Sequence, residues 1–396
     1  MVELGEFVSA PYGGKVLADL GAEVIKVEFP EGDVARRHGP FPGDRPHPER
    51  SGLFIYLNAN KLGVTIDPDT ATGRELLERL LGEADVLLTN LPLPRLEDLR
   101  LLAGDVSERH PQLVVVAIST FGQEGPLRHH RGADIVSAAM GGMNDTVGEP
   151  GRDPLVMPCY QSHSQAGAHA AAAAMVALFG RRLTDRGQYV DISEADIWAS
   201  YNQPGRAHIF VHEGRVRRRG GHRTMGVYPY TVLPVKDGYI SMIAGRGKQW
   251  KAFMELVGDG EIPEWYSQEE RFQDRLEISR LYADEMDALL APWLMDHDKE
   301  EIFHAAQAKG IPFAPVYSTA EVVANEHLNE RDYFVEVDHP EAGTYRYPGA
   351  PYVLSDSPVE IRRPAPLLGE HDREIWCERF GVDEHELATM YRNGVL

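Results

Sequence analysis

Short apolar runs of strand length alternate with amphipathic stretches between residues 16 and 118, and this alternation restricts the chain to an open, mostly parallel α/β sheet covered on both faces. Residues 21–28 form an apolar run with β-branched side chains, bounded by Gly21 and Pro30. Residues 63–67, 85–89 and 113–118 repeat that pattern. Between them, residues 16–20 have helical spacing. Residues 70–81 set Leu76, Leu77, Leu80 and Leu81 on one stripe, with Thr70 or Thr72 as the cap. Residues 165–182 predict a helix so rich in alanine that it suits close packing against another helix or a subunit interface. A strand over 187–193 and a helix from Glu194 follow.

Composition changes near residue 205. Residues 228–243 predict a hairpin turning at Lys236-Asp237-Gly238, since Asp-Gly supplies the positive φ that a tight hairpin needs. Helical segments run on to about residue 310, with Trp250, Trp265 and Trp293 as core anchors. Residues 310–316 are extended, and a polar helix starts near Asp383. A length of 396 residues accommodates two domains. The expected division is a large Rossmann-like domain from 1–204 and 326–396, with 205–325 forming linkers and a small α+β domain.

Acidic residues number 61 against 40 basic ones, a formal charge of −21, which disfavours nucleic acid and anionic membranes as partners. No apolar run approaches the ~18 residues of a membrane span, and residues 1–4 lack a basic, then apolar, secretory leader. Cys159 and Cys377 make neither a disulfide framework nor a metal-ligand spacing. A soluble cytoplasmic protein is expected.

Several stretches carry a resemblance, in chain order. They are residues 17–28, then Gly32-Asp33 with Arg36, Asn60-Lys61 ahead of 63–67, 85–90, 121–126, and 184–188 leading into 190–193. Residues 236–239, 310–316 and 366–371 continue the series. Together they resemble the class III CoA-transferases of the CaiB/BaiF type. The resemblance implies an interlocked dimer, each chain with a Rossmann-like CoA-binding domain and a small domain. It implies coenzyme A and acyl-CoA as substrates, with no metal and no redox cofactor. The implied reaction moves CoA from a thioester to a small carboxylic acid through an aspartate nucleophile that forms mixed anhydrides, with backbone N–H groups holding the oxyanions.

Aligning on Gly167 and Ala177-Leu178 places His163 at the position of that aspartate, flanked by Gln161, Ser162, Ser164 and Gln165. The racemase branch of the family uses a histidine at the position of Ala133, so a racemase is not expected. Three readings of His163 stay open: a nucleophile, a base with an ordinary pKa of about 6.5, or a hydrogen-bonding residue at a former catalytic position. The resemblance implies CoA contacts from Val8, Ser9 and Ala10, from Ile66, Asp67 and Asp69, and from Asn90, Leu91, Arg131 and Asp134. The chain departs from the transferase pattern at Val8, Phe29 and Pro92. Asn90 also reads as a strand-end cap. The dense basic run of Arg215, Arg217, Arg218, Arg219 and Arg223 is either a contact for the CoA phosphates or a solvated loop.

The expected function is thus CoA transfer between an acyl-CoA and a carboxylic acid. One alternative is a non-nucleophilic subunit of a heteromeric, benzylsuccinate CoA-transferase-like enzyme whose partner carries the aspartate. The other is an acyl-CoA binding protein without turnover. The partner would be a second copy of the chain or a homologous subunit.

Overall fold

The computed structural model describes residues 1–202, 208–216, 219–224 and 226–396. The apolar runs become a six-stranded sheet: β1 (Val2–Leu4), β2 (Ile25–Glu28), β3 (Leu62–Thr65), β4 (Val86–Thr89), β5 (Val114–Ser119) and β6 (Tyr189–Ser193). Every neighbouring pair is parallel, in the order β3-β2-β1-β4-β5-β6. This is the doubly wound order, whose direction reverses between β1 and β4.

Eight helices accompany these strands: α1 (Ser9–Asp19), α2 (Gly52–Asn58), α3 (Ala71–Glu83), α4 (Leu93–Asp98), α5 (Ala103–Arg109), α6 (Asp134–Met140), α7 (Gln161–Thr184) and α8 (Glu194–Asn202). On one face of the sheet Leu76, Leu77, Leu80 and Leu81 of α3 join Trp376 in a core with Ile25, Val64, Leu87 and Val115. On the other face Ala10 and Leu17 of α1 and Ala166, Ala170 and Ala174 of α7 cover Leu88, Val114 and Val116. Burial on both faces is why these strands read as continuous apolar runs. Thr70 caps α3, its hydroxyl accepting from Gly73 N at 2.9 Å.

Two helix starts differ most from the sequence reading. Helix α1 starts at Ser9, well ahead of the apolar spacing at 16–20, because its front is built of small residues and proline that pack by close approach. Helix α7 starts at Gln161, so His163 lies inside its first turn and not in a loop ahead of it. The two helices touch at Gly13 and Gly167: a Cβ on Gly167 would lie 2.5 Å from Ser9 O and 2.9 Å from Gly13 N. Both obstacles are backbone atoms and cannot swing aside. Gly167→Ala should therefore destabilise the fold by about 1–3 kcal/mol, the overpacking range, despite the ~1 kcal/mol that alanine normally gains in a helix. Urea unfolding measures this, and a stabilised variant would contradict it.

Four buried ionic side chains lie beneath the β1–α1 turn. Lys26 Nζ sits 3.2 Å from Glu3 Oε1 and 2.8 Å from Asp33 Oδ2, and donates to Gly5 O at 3.1 Å. Lys61 Nζ donates to Pro11 O and Asn58 Oδ1, each at 2.8 Å, and lies 2.7 Å from Glu3 Oε2.

The chain divides into two units. One takes Met1–Met143, Val156–Arg215 and His327–Leu396; the other takes Asn144–Leu155 and Val216–Glu326. The last segment of the first unit closes on β3: Asp372 accepts from Thr65 N (2.9 Å), Thr65 Oγ1 (2.7 Å) and Tyr391 Oη (2.7 Å), and Asp67 N donates to Val395 O at 2.7 Å. A polar helix, Glu384–Arg392, ends it, with the Asp383 carboxylate accepting from His385 N.

In the second unit β7 (Tyr230–Val235) and β8 (Gly238–Ile243) form the expected hairpin, and β9 (Ala314–Pro315) adds to β8. Only those two residues of the extended run 310–316 become strand, while Ile311 and Phe313 turn into the core. Trp250 anchors that core with its indole N–H on Tyr266 Oη at 2.9 Å, and Trp265 and Trp293 pack on its edge. Residues 144–155 join this unit through Arg219, which donates to Asp145 Oδ1 at 3.1 Å and to Arg152 O at 2.7 Å. Arg223 pairs with Asp284 at 2.7 Å and with Asp287, and Arg215 pairs with Glu213. The described arginines of the basic run are therefore matched by carboxylates; Arg217 and Arg218 lie outside the described residues.

Candidate active site

In a doubly wound sheet the crevice for a ligand lies beyond the carboxyl ends of the strands where the order reverses, here between β1 and β4. The chain leaving β1 is fixed there from both sides. Asn90, the residue after β4, accepts from Glu6 N at 2.9 Å and donates to Glu6 O and Ser9 Oγ, each at 2.8 Å. Asp33 Oδ1 accepts from Phe7 N at 2.9 Å. Gly5 is required because a Cβ would come within 2.7 Å of both Ala10 Cβ and Asn90 Oδ1. Phe7 takes a positive φ of 66° and packs its ring 4.9 Å from Tyr160 and 5.9 Å from His163.

That contact brings the first turn of α7 into the crevice. Cys159 and Tyr160 are both left-handed (φ 62° and 50°), which reverses the chain into the helix. Asp134 at the head of α6 serves as a cap from outside: its Oδ1 accepts from Ser162 N at 2.8 Å and from His163 N at 3.4 Å, where the helix dipole favours negative charge. Ser162 Oγ donates to Asp134 O at 2.7 Å and accepts from the Trp198 indole N–H at 2.8 Å.

His163 Nδ1 is hydrogen-bonded to Glu194 Oε1 at 2.7 Å, and the other Glu194 oxygen accepts from Ser137 Oγ at 2.6 Å. Glu194 is 3% exposed and Ser137 fully buried, whereas the His163 side chain keeps 17% of its surface open. Burial pulls the imidazole pKa down, but the hydrogen bond and charge of Glu194 and the charge of Asp134 outweigh it, so His163 titrates above the usual imidazole range. A carboxylate on Nδ1 assigns the ring proton to that nitrogen in the neutral form, leaving the Nε2 lone pair free for chemistry. The local sequence offers His163 no orienting carboxylate, yet the fold supplies one. Glu194 is the first residue beyond β6, and its position at the carboxyl end of a sheet strand was the available signal. Ser137 had none.

The other sequence candidates divide by burial. Val8, Ala10, Ile66 and Leu91 are core side chains, so only their backbone is available to a ligand. Ser9 and Asn90 are engaged with each other. Asp67 accepts from Asp69 N at 2.9 Å, and Asp69 is exposed and pairs with Arg95 at 2.5 Å. Arg131 is exposed in the loop after β5, while Asp134 caps α7. Among the described residues no cluster of three or more His, Cys, Asp or Glu is placed to hold a metal ion. No described helix is long and apolar enough to cross a membrane.

A family model described as CoA-transferase family III matches residues 1–372. The chain belongs to CoA-transferase family III. This family III protein is 31% identical over 398 residues to the succinyl-CoA:(R)-benzylsuccinate CoA-transferase subunit BbsE of Thauera aromatica, covering 98% of the chain and 94% of the relative. It is 30% identical over 416 residues to the formyl-CoA:oxalate CoA-transferase of Streptomyces avermitilis, covering 100% and 98%. Its fold matches the crystal structure of a CaiB/BaiF family protein from Brucella suis with a TM-score of 0.83 at 29% identity, covering 95% of this chain and 97% of that one.

Proposed function

We propose that this chain exchanges CoA between an acyl-CoA and a small carboxylic acid, with the thioester carbonyl placed beside His163 at the position of the family's aspartate. The observation that carries the reading is the 2.7 Å pair between His163 Nδ1 and buried Glu194, in the first turn of α7 at the switch-point crevice. Nε2 attacks the thioester carbon, giving an acyl-imidazole and CoA thiolate. The acceptor carboxylate attacks that acyl group, frees the imidazole and forms a mixed anhydride of the two acids. The thiolate then attacks the acceptor's carbonyl carbon and releases the donor acid. Each acyl group stays activated until CoA returns, and Glu194 stabilises the charge on the ring while Nε2 is bonded.

Coenzyme A enters as substrate, its nucleotide along the backbone at Val8, Ser9 and Ala10, at Ile66, Asp67 and Asp69, and at Asn90 and Leu91, with Arg131 near its phosphates. A second reading has a specific observation behind it: the BbsE relative is named as a subunit. On that reading the chain is the non-nucleophilic half of a pair. Both readings place a second chain, a copy or a homologue, on the α7 face where Met175, Val176, Phe179 and Leu183 are exposed.

The test is to incubate the purified chain with succinyl-CoA or formyl-CoA and a panel of carboxylic acids, following CoA ester exchange by mass spectrometry. Exchange by the chain alone supports the first reading. Exchange that requires a co-expressed, aspartate-bearing homologue supports the second. A chain that does not bind CoA at all would sink both.

A further inference from the structure

We propose that this chain also hydrolyses acyl-CoA when no acceptor acid is present, with His163 as general base toward water and Glu194 as its positioning residue. The inference rests on the reading that acyl-CoA occupies the crevice beside His163, but not on an acyl-imidazole forming there.

The hydrogen bonds around the ring carry it. Both carboxylates whose charge reaches His163 are already engaged. Glu194 has one oxygen on His163 Nδ1 (2.7 Å) and the other on Ser137 Oγ (2.6 Å), and Asp134 Oδ1 holds the N–H groups of Ser162 and His163. Glu194 is thereby held behind the ring and Asp134 at the head of α7. Among the described residues the group left open is Nε2 of a ring whose orientation is fixed from behind by a buried acid that is itself fixed by a buried hydroxyl. A base held by a carboxylate is the arrangement that proton abstraction requires. A neutral imidazole, with an ordinary pKa of about 6.5, is a stronger general base toward attacking water than a carboxylate with a pKa of about 4.

The step balances without any co-reactant beyond water. Water oxygen bonds to the thioester carbonyl carbon as Nε2 takes one of its protons. The tetrahedral oxyanion collapses, the C–S bond breaks with its electron pair leaving on sulfur, and the thiolate takes the proton from Nε2. One acyl-CoA and one water give one carboxylic acid and one free CoA. Glu194 holds the imidazolium through Nδ1–H while the proton is in transit.

Around the imidazole stand Glu194 from α8, Asp134 from α6, Tyr160 ahead of α7 and Phe7 from the β1–α1 turn, with Ser137 of α6 behind Glu194. The base must be neutral, so hydrolysis rises with pH through the His163 titration. The negative charges of Glu194 and Asp134 set that rise above the ordinary imidazole range.

The experiment uses the full chain with acetyl-CoA or succinyl-CoA in buffer containing no acceptor acid. Free thiol is followed with a chromogenic disulfide, and the acid product is analysed after reaction in ¹⁸O-water. The expected result is thiol release above the uncatalysed rate with one ¹⁸O in the acid. Glu194→Gln should lower kcat by about 10²-fold with little change in KM, and should move the midpoint of the pH rise downward, because an amide no longer favours the imidazolium. Ser137→Ala, which leaves the His163–Glu194 pair in place, provides a milder second variant if Glu194→Gln does not fold. An unshifted pH midpoint in Glu194→Gln would remove Glu194 from its role, whereas Ser137→Ala should keep the high midpoint and lose only part of kcat. Acyl-CoA bound, by calorimetry, but with no thiol release overturns the proposal. Exchange with an acceptor acid but no hydrolysis overturns it and leaves the transferase reading intact. Failure to bind acyl-CoA overturns the transferase reading beneath it.

Discussion

His163→Ala should lower CoA exchange by about 10⁴–10⁶-fold, the scale of losing a covalent nucleophile. Two effects have to be separated in that variant. Alanine removes Nε2, and it also leaves Glu194, 3% exposed, with Ser137 as its remaining partner, an unsatisfied buried acceptor that costs about 1–3 kcal/mol. His163→Gln separates them. Its amide can still donate to Glu194, so the fold should melt close to the parent protein, but it offers no base or nucleophile. Exchange assays and thermal melts on both variants decide the matter. Activity that survives in His163→Gln would take the histidine out of the chemistry, and loss that follows only the melting temperature would make it a structural residue.

Lys26→Met should destabilise the protein by about 3–5 kcal/mol, the cost of breaking a buried ion pair from one side. Lys26 has no exposed surface and lies between Glu3 and Asp33. Burial disfavours its charge, yet Asp33, Glu3 and Glu28 together hold its pKa above the ordinary lysine value. Without the ammonium, Glu3 keeps only Lys61, and Asp33 loses the cation at its outer oxygen. Replacing the whole network with apolar residues could be nearly neutral; replacing its centre cannot be. The damage should reach the ligand crevice too, because Lys26 donates to Gly5 O and Asp33 holds Phe7 N. Urea unfolding gives the stability change and calorimetry the CoA affinity. A loss below about 1 kcal/mol, the size of an exposed pair, would mean that water reaches the network.

The sheet was legible in the sequence because β2 to β5 are buried on both faces and so read as unbroken apolar runs. Gly21, at φ +102°, turns the chain out of α1, which is why β2 begins only at Ile25 within the apolar run. The fronts of α1 and α7 were not legible. Ser9, Ala10, Pro11 and Gly13 carry no apolar periodicity, and their burial comes from backbone meeting backbone at Gly167. At the site, His163 could be singled out by resemblance, but its partner lies 31 residues away. Only the sheet order, which sets β6 beside β5, brings Glu194 next to it. Asn90 shows the converse: a ligand contact by resemblance, it is fully engaged in clasping Glu6 and Ser9.

The division of the chain has a consequence for its synthesis. Residues 216–326 are continuous and carry a core of their own, so they can fold as soon as they leave the ribosome. The sheet made earlier cannot finish, because Asp372 and Val395 close over the end of β3 and Trp376 fills one of its faces. At ordinary translation rates this leaves the apolar bed of Trp376 open for on the order of ten seconds after β6 has emerged. Over that interval a nascent-chain chaperone would find its binding surface on the older half of the molecule, and a premature stop after residue 326 would yield a well-folded small unit attached to a sheet that never closes.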